Sequence, residues 1–294
     1  MTDLGRAHPP PRCISVIVPV RNGGALIEQQ LAALAAQRYD GEWEVLVVDN
    51  GSTDGTPERA QRWASKLPRL RVIDASERAG SSFARNRGAQ EASGDFLAFC
   101  DADDVVVPEW LASLAAAATS FDAVTGPQDA SVVNPPAVQA WRTPRAEGLP
   151  RAGFLPYAPS CNLGAWATVW ERTGGFNEEY PQAHDVEWSW RAQLASFTLG
   201  YAPEAVVHYR YRTSARSVAR QAYASGLDAA RLFRDYRAHG MGRAGARKVL
   251  RTWVWTVFRL PYALSATKRG IWLRRAGEAA GRIAGSVRFH VLFL

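Results

Sequence analysis

Cysteine is scarce in this chain of 294 residues: Cys13, Cys100 and Cys161 stand far apart and form no CxxC pair. That excludes a thiolate zinc site and a disulfide scaffold, and it fits a reducing compartment. Long apolar runs are missing too. The longest nearly apolar stretch, Trp253 to Leu264, has twelve residues and contains Arg259 and Pro261, too short to cross a bilayer as a helix. Ahead of the first short apolar run stand three prolines and Arg12, so no secretory signal is readable. There is no internal repeat. Neither a nucleophile elbow nor a Ser/His/Asp pattern argues for a covalent route. What remains is ordinary globular composition, 47% apolar and 21% charged, which rules out a mostly disordered chain. The length suits one large α/β domain with an appendage.

The net charge of +7 hides an asymmetry. Residues 1–204 hold 17 Lys+Arg against 25 Asp+Glu, whereas residues 205–294 hold 18 against 3, a balance of +15. A chain acidic in front and strongly basic behind has two jobs.

In the front part, short β-branched runs alternate with amphipathic ones. Residues 14–20, 44–49, 70–73, 95–100 and 122–126 read as strands. Residues 25–37, 57–67, 82–92 and 108–118 read as helices. Such alternation predicts a mixed, mainly parallel sheet with helices on both faces, whose ligands bind at the carboxyl ends of the strands. Residues 127–160 carry little periodicity and read as a long functional or mobile loop. Pattern returns at 162–172 and 184–194, with short strands at 198–201 and 205–209, and from about Ser214 everything reads as basic helix.

Polar clusters fall where this architecture places its site. Pro19-Val20-Arg21-Asn22-Gly23 follows the first strand, and Asp49-Asn-Gly-Ser-Thr-Asp54 closes the second. An aspartate ending a strand can accept from a base or ribose, while Ser52 and Asp54 serve equally well as turn and helix-cap residues. The fourth strand runs into Asp101-Ala-Asp-Asp104. Three carboxylates in four residues repel one another unless a cation compensates, and hard oxygen ligands beside a diphosphate suit Mg²⁺ or Mn²⁺. The competing reading is an acidic start to the next helix. Arg78, Arg85 and Arg87 precede this strand and could face a diphosphate or lie solvated on the surface.

The ordered set PVRN, VVDNGSTD, ARNRG, FCDADD and GGFNE…HDVEWSWR resembles the family 2 glycosyltransferases, of the nucleotide-diphospho-sugar transferase superfamily with a GT-A fold. The resemblance spans about residues 13–210. It implies that Pro19, Val20 and Arg21 lie along the nucleoside and that Asp49 accepts from the base with Ser52 nearby; of the three arginines, Arg85 is the expected nucleotide-sugar contact. By the same resemblance Asp101 contacts ribose or sugar, Asp103 binds the metal, and His208 is a candidate further metal ligand. Asp185 matches the usual catalytic base, with Glu187 as the competing candidate; His184 stands where Glu is common. A carboxylate within reach of an acceptor hydroxyl activates it, a metal on the diphosphate stabilises the leaving group, and one base opposite the leaving group gives inversion. Processive members show QxxRW and several membrane spans. Here Ser189-Trp190-Arg191 is the nearest match and spans are absent, which favours transfer of a single sugar.

The tail carries two apolar stripes flanked by cations. Leu250, Trp253, Val254, Val257, Phe258 and Pro261 form one; Ile283, Val287, Val291 and Leu294 form the other. Basic helices with such faces lie in membrane interfaces; a packed helical subdomain or a dimer interface is the alternative. The expected division is a disordered tail over 1–12, a catalytic domain over 13–212, and a membrane-associating helical region over 213–294. Together these readings describe a cytoplasmic enzyme on the inner membrane face that modifies a lipid-linked or cell-envelope glycan. The alternatives are a polyprenyl-phosphate glycosyltransferase, whose acceptor needs no base, and an inactive membrane scaffold. No motif supports nucleic-acid binding, and the acidic front half argues against it. A nucleotidyltransferase would need a Gly-rich, Lys-containing signature after the first strand, which is missing.

Overall fold

The computed structural model describes residues 7–141, 147–243 and 245–294. The aliphatic runs form the centre of a seven-stranded sheet. β1 (Cys13–Val20) buries Ile14, Val16, Ile17 and Val18 completely, each worth about 1.5–3 kcal/mol relative to exposure. After α1 (Leu26–Ala35) come β2 (Glu42–Asp49), α2 (Thr56–Gln61), β3 (Arg71–Asp74), α3 (Ser81–Glu91) and β4 (Phe96–Cys100). Next are β5 (Val105–Val106), α4 (Trp110–Ala118), β6 (Ala123–Thr125), β7 (Gln128–Asp129) and the short α5 (Pro136–Gln139). β8 (Asn162–Trp166), α6 (Ala167–Thr173), α7 (His184–Leu194), β9 (Leu199–Tyr201) and β10 (Val207–His208) follow. The strand order is β3-β2-β1-β4-β8-β6-β9, and β5-β10-β7 form a small second sheet.

β3, β2, β1 and β4 are mutually parallel, so their carboxyl ends share one edge, with Val20 opposite Asp49 and Asp49 opposite Asp74. β8 runs antiparallel to both β4 and β6, placing Asn162 beside Cys100. The segment entering β8 therefore arrives at the edge where β4 leaves. α3 lies close against this sheet: a Cβ on Gly88 would come 2.6 Å from Ile17 Cγ2 and 2.8 Å from Val48 Cγ2.

Two expected boundaries change. Residues 8–12 are held rather than disordered, while residues 1–6 lie outside the described residues. The His8 amide donates to Thr119 O at 2.8 Å and its ring stacks on Trp166. The amides of Arg12 and Cys13 each donate to Asp95 at 3.0 Å. The basic region is likewise not a separate unit. It forms α8 (Ala215–Tyr236), α9 (Ala246–Phe258) and α10 (Arg269–Arg288). Ala230, Phe233 and Tyr236 of α8 share a core with Tyr180, Val186 and Trp190. α8 and α10 meet backbone to backbone, since a Cβ on Gly226 would lie 2.1 Å from Glu278 O. The second apolar stripe is broken: α10 ends at Arg288, and Val291 is buried in that shared core. The first stripe survives, with Leu250, Val254, Val257 and Phe258 exposed.

Candidate active site

The shared edge of β1, β2 and β4 opens into a cleft of about 1080 Å³. Pro19, Val20 and Arg21 line it from the end of β1, Asn50 from the end of β2, Arg85 from α3, and Asp101 and Asp103 from the end of β4. The antiparallel arrival of β8 adds Ser160 and Cys161, and the first turn of α7 adds His184 and Asp185. Residues distant in sequence meet here because the carboxyl ends of β1, β2 and β4 and the start of antiparallel β8 share one edge.

A charged chain crosses the cleft wall. Arg85, buried, forms an ion pair with Asp101. Its other guanidinium nitrogen sits 3.4 Å from His184 Nε2, which in turn lies 3.2 Å from Ser160 Oγ. The Ser160 amide donates to Asp185 Oδ2 at 3.2 Å. Burial first, and then the Arg85 charge, push the His184 pKa down to about 3. The imidazole in the place of the family's common Glu is therefore neutral, and Asp185 has no charged neighbour at that position.

Around β4 the carboxylates crowd. Burial and then the Asp101 charge raise the pKa values of Asp103 and Asp104. Arg210 holds this turn in shape, its amide donating to Asp104 Oδ1 at 2.7 Å and its Nε to Asp103 O at 2.8 Å. Asp104 Oδ2 is buried without a partner. Asp101, Asp104 and Cys161 each bring one ligand atom within 4.8 Å of the others. Crowded carboxylates with an orphan buried oxygen fit a hard divalent cation; the thiol fits it less well.

Residues 15–156 match the family described as Glycosyl transferase family 2. That stretch, just under half of the chain, carries the signature of glycosyltransferase family 2. Among its relatives is Glycosyltransferase AglE of Haloferax volcanii, 32% identical over 199 residues, which are 66% of this chain and 65% of that protein. Pre-mycofactocin glycosyltransferase of Mycobacterium tuberculosis is 30% identical over 243 residues, 77% of this chain and 50% of that protein. The chain thus spans between half and just under two thirds of the length of these curated relatives. Mannosyltransferase PcManGT from Pyrobaculum calidifontis, in complex with GDP-Man and Mn²⁺, superposes with a TM-score of 0.63 at 22% identity, covering 96% of this chain and 89% of that one. S. aureus TarS 1–349 in complex with UDP-GlcNAc gives 0.54 at 18% identity, covering 96% and 93%. These likenesses show the GT-A fold.

Of the residues anticipated from the sequence, Pro19, Val20, Arg21, Arg85, Asp101, Asp103 and Asp185 line the cleft. Asp49 and Ser52 stand behind it. Asp49 Oδ2 accepts the Ser52 amide at 3.0 Å, and Ser52 Oγ accepts the Asn22 amide at 2.8 Å, so they shape the loop after β1. Glu187, the competing base, is buried and turned away: Arg191 donates to both its oxygens at 2.9 Å and Tyr236 Oη donates at 2.9 Å. Both carboxylate oxygens are thus engaged within the protein, outside the cleft lining. His208 also lies outside the lining, its Nδ1 3.3 Å from Asp129 Oδ2. Arg78 pairs with Glu178 and Arg87 with Glu91, both away from the cleft. Sequence reasoning missed Asn50, Ser160 and Arg210. Asn50 Nδ2 donates to Ala75 O and Arg78 O, and its Oδ1 accepts the Gly80 amide, fixing the turn into α3. No spacing pattern marks Ser160 or Arg210, which reach the site through antiparallel β8 and through the strand pairing of β10.

Proposed function

We propose that this chain is an inverting glycosyltransferase that moves one sugar from a nucleotide-diphosphate sugar to an acceptor hydroxyl, on a lipid-linked or cell-envelope glycan. The observation that carries the reading is the placement of the Asp101/Asp103 pair and Asp185 around one cleft. One carboxylate group lies at the sheet edge and the other on a separate helix, as displacement with a base opposite the leaving group requires. Asp185 takes the proton of the acceptor hydroxyl, a role usually worth 10²–10⁴ in rate. Pro19 to Arg21 take the nucleoside, with Asp49 and Ser52 holding that loop in shape. Arg85 sits where it can neutralise diphosphate charge as well as fix Asp101.

Mg²⁺ or Mn²⁺ would be held by Asp103, with Asp101 and Asp104 beside it, and would supply charge neutralisation to the departing diphosphate. The GDP-Man, UDP-GlcNAc and Mn²⁺ bound to structurally similar proteins support a nucleotide-sugar donor and a divalent cation. Among the described residues no helix is long and apolar enough to cross a membrane. We read α9 and the turn that follows it, residues 259–264, as a peripheral contact with the anionic inner face of the cell membrane, because Val257 and Phe258 of the helix and Leu264 of the turn are 67%, 78% and 92% exposed, with Arg247, Arg251 and Arg259 in the same segment.

The test is a thermal-shift panel of GDP, UDP, GDP-mannose and UDP-GlcNAc with and without Mn²⁺. A ligand binding only the folded state raises the melting point by mass action. A metal-dependent shift with at least one nucleotide is expected; none with any would return the chain to the scaffold reading. If Asp185→Asn transferred as well as wild type, the polyprenyl-phosphate reading would replace the base-dependent one.

A further inference from the structure

We propose that Asp228, on α8, is a positioning residue for the helix that carries Asp185; the inference rests on the reading of Asp185 as the base. α7 begins at His184, and its N-cap residue, Ala183, makes no side-chain cap hydrogen bond. The first amides of a helix need an acceptor from somewhere. Asp228 supplies it from across the chain: its Oδ2 accepts the Gln182 amide at 2.8 Å and the Ala183 amide at 3.0 Å. The carboxylate is 1% exposed, so it is an internal strut and not a surface charge. The two amides it holds come immediately before His184 and Asp185, and both residues line the cleft.

The rest of α8 reinforces this attachment. Arg231 binds Glu179, Asp235 accepts from the Tyr180 hydroxyl, and Tyr236 Oη donates to Glu187 Oε1. Positions 228, 231, 235 and 236 follow the i, i+3, i+7, i+8 spacing of one helical face. That face grips residues 179–187 at four points, and Asp228 holds the backbone amides just before the base, on the N-terminal side of the helix. A misplacement of about 1 Å at a reacting group can cost about 10²-fold in rate. What looks in sequence like a membrane tail thus forms the back wall of the catalytic helix.

The experiment uses the full chain with Asp228→Ala, Asp228→Asn and, separately, Asp185→Asn. Hydrogen exchange is followed in peptides covering 180–187, and release of nucleoside diphosphate is followed from GDP-mannose and UDP-GlcNAc with Mn²⁺. Asp228→Ala is expected to speed exchange across 180–187 by about tenfold or more while β1 and β4 keep their protection. It should lower kcat by about tenfold or more with the donor KM within about threefold. Asp228→Asn keeps an oxygen acceptor and should restore both readouts. Unchanged exchange at 180–187 in Asp228→Ala overturns the proposal. So does a loss shared between kcat and donor affinity with β1 and β4 also opened, since that is general destabilisation. Full activity of Asp185→Asn sinks the base assignment instead, and leaves the exchange result to stand on its own.

Discussion

Replacing Asp228 by Asn should make the protein's stability less dependent on pH, by an amount that follows from the burial of the carboxylate. Burial first, and the nearby Asp185 charge with it, raise the Asp228 pKa from 3.8 to about 6, against the pull of the Gln182 and Ala183 amides and of Arg231. In the unfolded chain the group ionises near its ordinary value. Between pH 4 and 6 the native state consequently holds more protons than the unfolded state, and stability falls as pH rises through that window. At about 1.36 kcal/mol per unit, the fall attributable to this residue is about 3 kcal/mol by pH 7. An Asn at 228 does not titrate. Its amide oxygen can accept both backbone amides, though as a neutral acceptor it binds them less strongly, an offset that does not vary with pH. Urea unfolding of wild type and Asp228→Asn at pH 4, 5, 6 and 7 measures the difference directly. The variant is expected to gain on the wild type by about 2 kcal/mol between pH 4 and 7, most steeply around pH 5. A difference constant across the series would show that the carboxylate ionises normally in the folded protein and refute the argument.

Asp103→Asn should abolish Mn²⁺-dependent nucleotide stabilisation in a thermal-shift assay while leaving the metal-free melting point within a few degrees. Asp185→Asn should still bind donor but lose transfer by about 10²-fold or more. Glu187→Gln should instead cost about 1–3 kcal/mol of stability by loosening the Arg191 and Tyr236 bonds, with turnover of the folded fraction near wild type. Truncation before Ser214 should yield a poorly soluble protein, because it strips the Asp228, Asp235 and Tyr236 contacts and bares the core around Trp190; a soluble, donor-binding fragment would contradict this. Phe258→Glu with Leu264→Glu should reduce co-sedimentation with anionic vesicles at low salt. Supernatant recovery of the wild type under the same conditions would remove the membrane reading.

Much of the sheet was legible because its strands are short aliphatic runs with buried alternating or continuous faces. Residues 14–20, 44–49 and 95–100 fall within a residue or so of β1, β2 and β4. The helix expected over 57–67 stops at Gln61, since Trp63 to Leu67 closes as turns ahead of Pro68. The expected loop over 127–160 contains β7 and α5, elements too short for any period to register; residues 142–146 lie outside the described residues. Periodicity is also silent on strand direction, so nothing announced that β8 would run against its neighbours and bring Ser160 to the cleft. For the tail, charge drew attention to the cations and away from the acids. A better signal was present: only three acids occur after residue 204, and Asp228 and Asp235 stand seven apart on one helical face. Acids so rare in a basic segment mark internal contacts, and the structure gives both of them partners.

The antiparallel insertion of β8 also bears on how the chain can be made. β4 finishes at Cys100, yet its second neighbour begins only at Asn162, and among the described residues β6 pairs only with β8 and β9. A nascent chain emerging from the ribosome must therefore carry Phe96 to Cys100 as an open apolar edge while some sixty further residues are added. Such edges invite pairing between chains. Translation speed through residues 101–161, or the presence of a holding chaperone, then becomes a determinant of yield that no property of the finished molecule records.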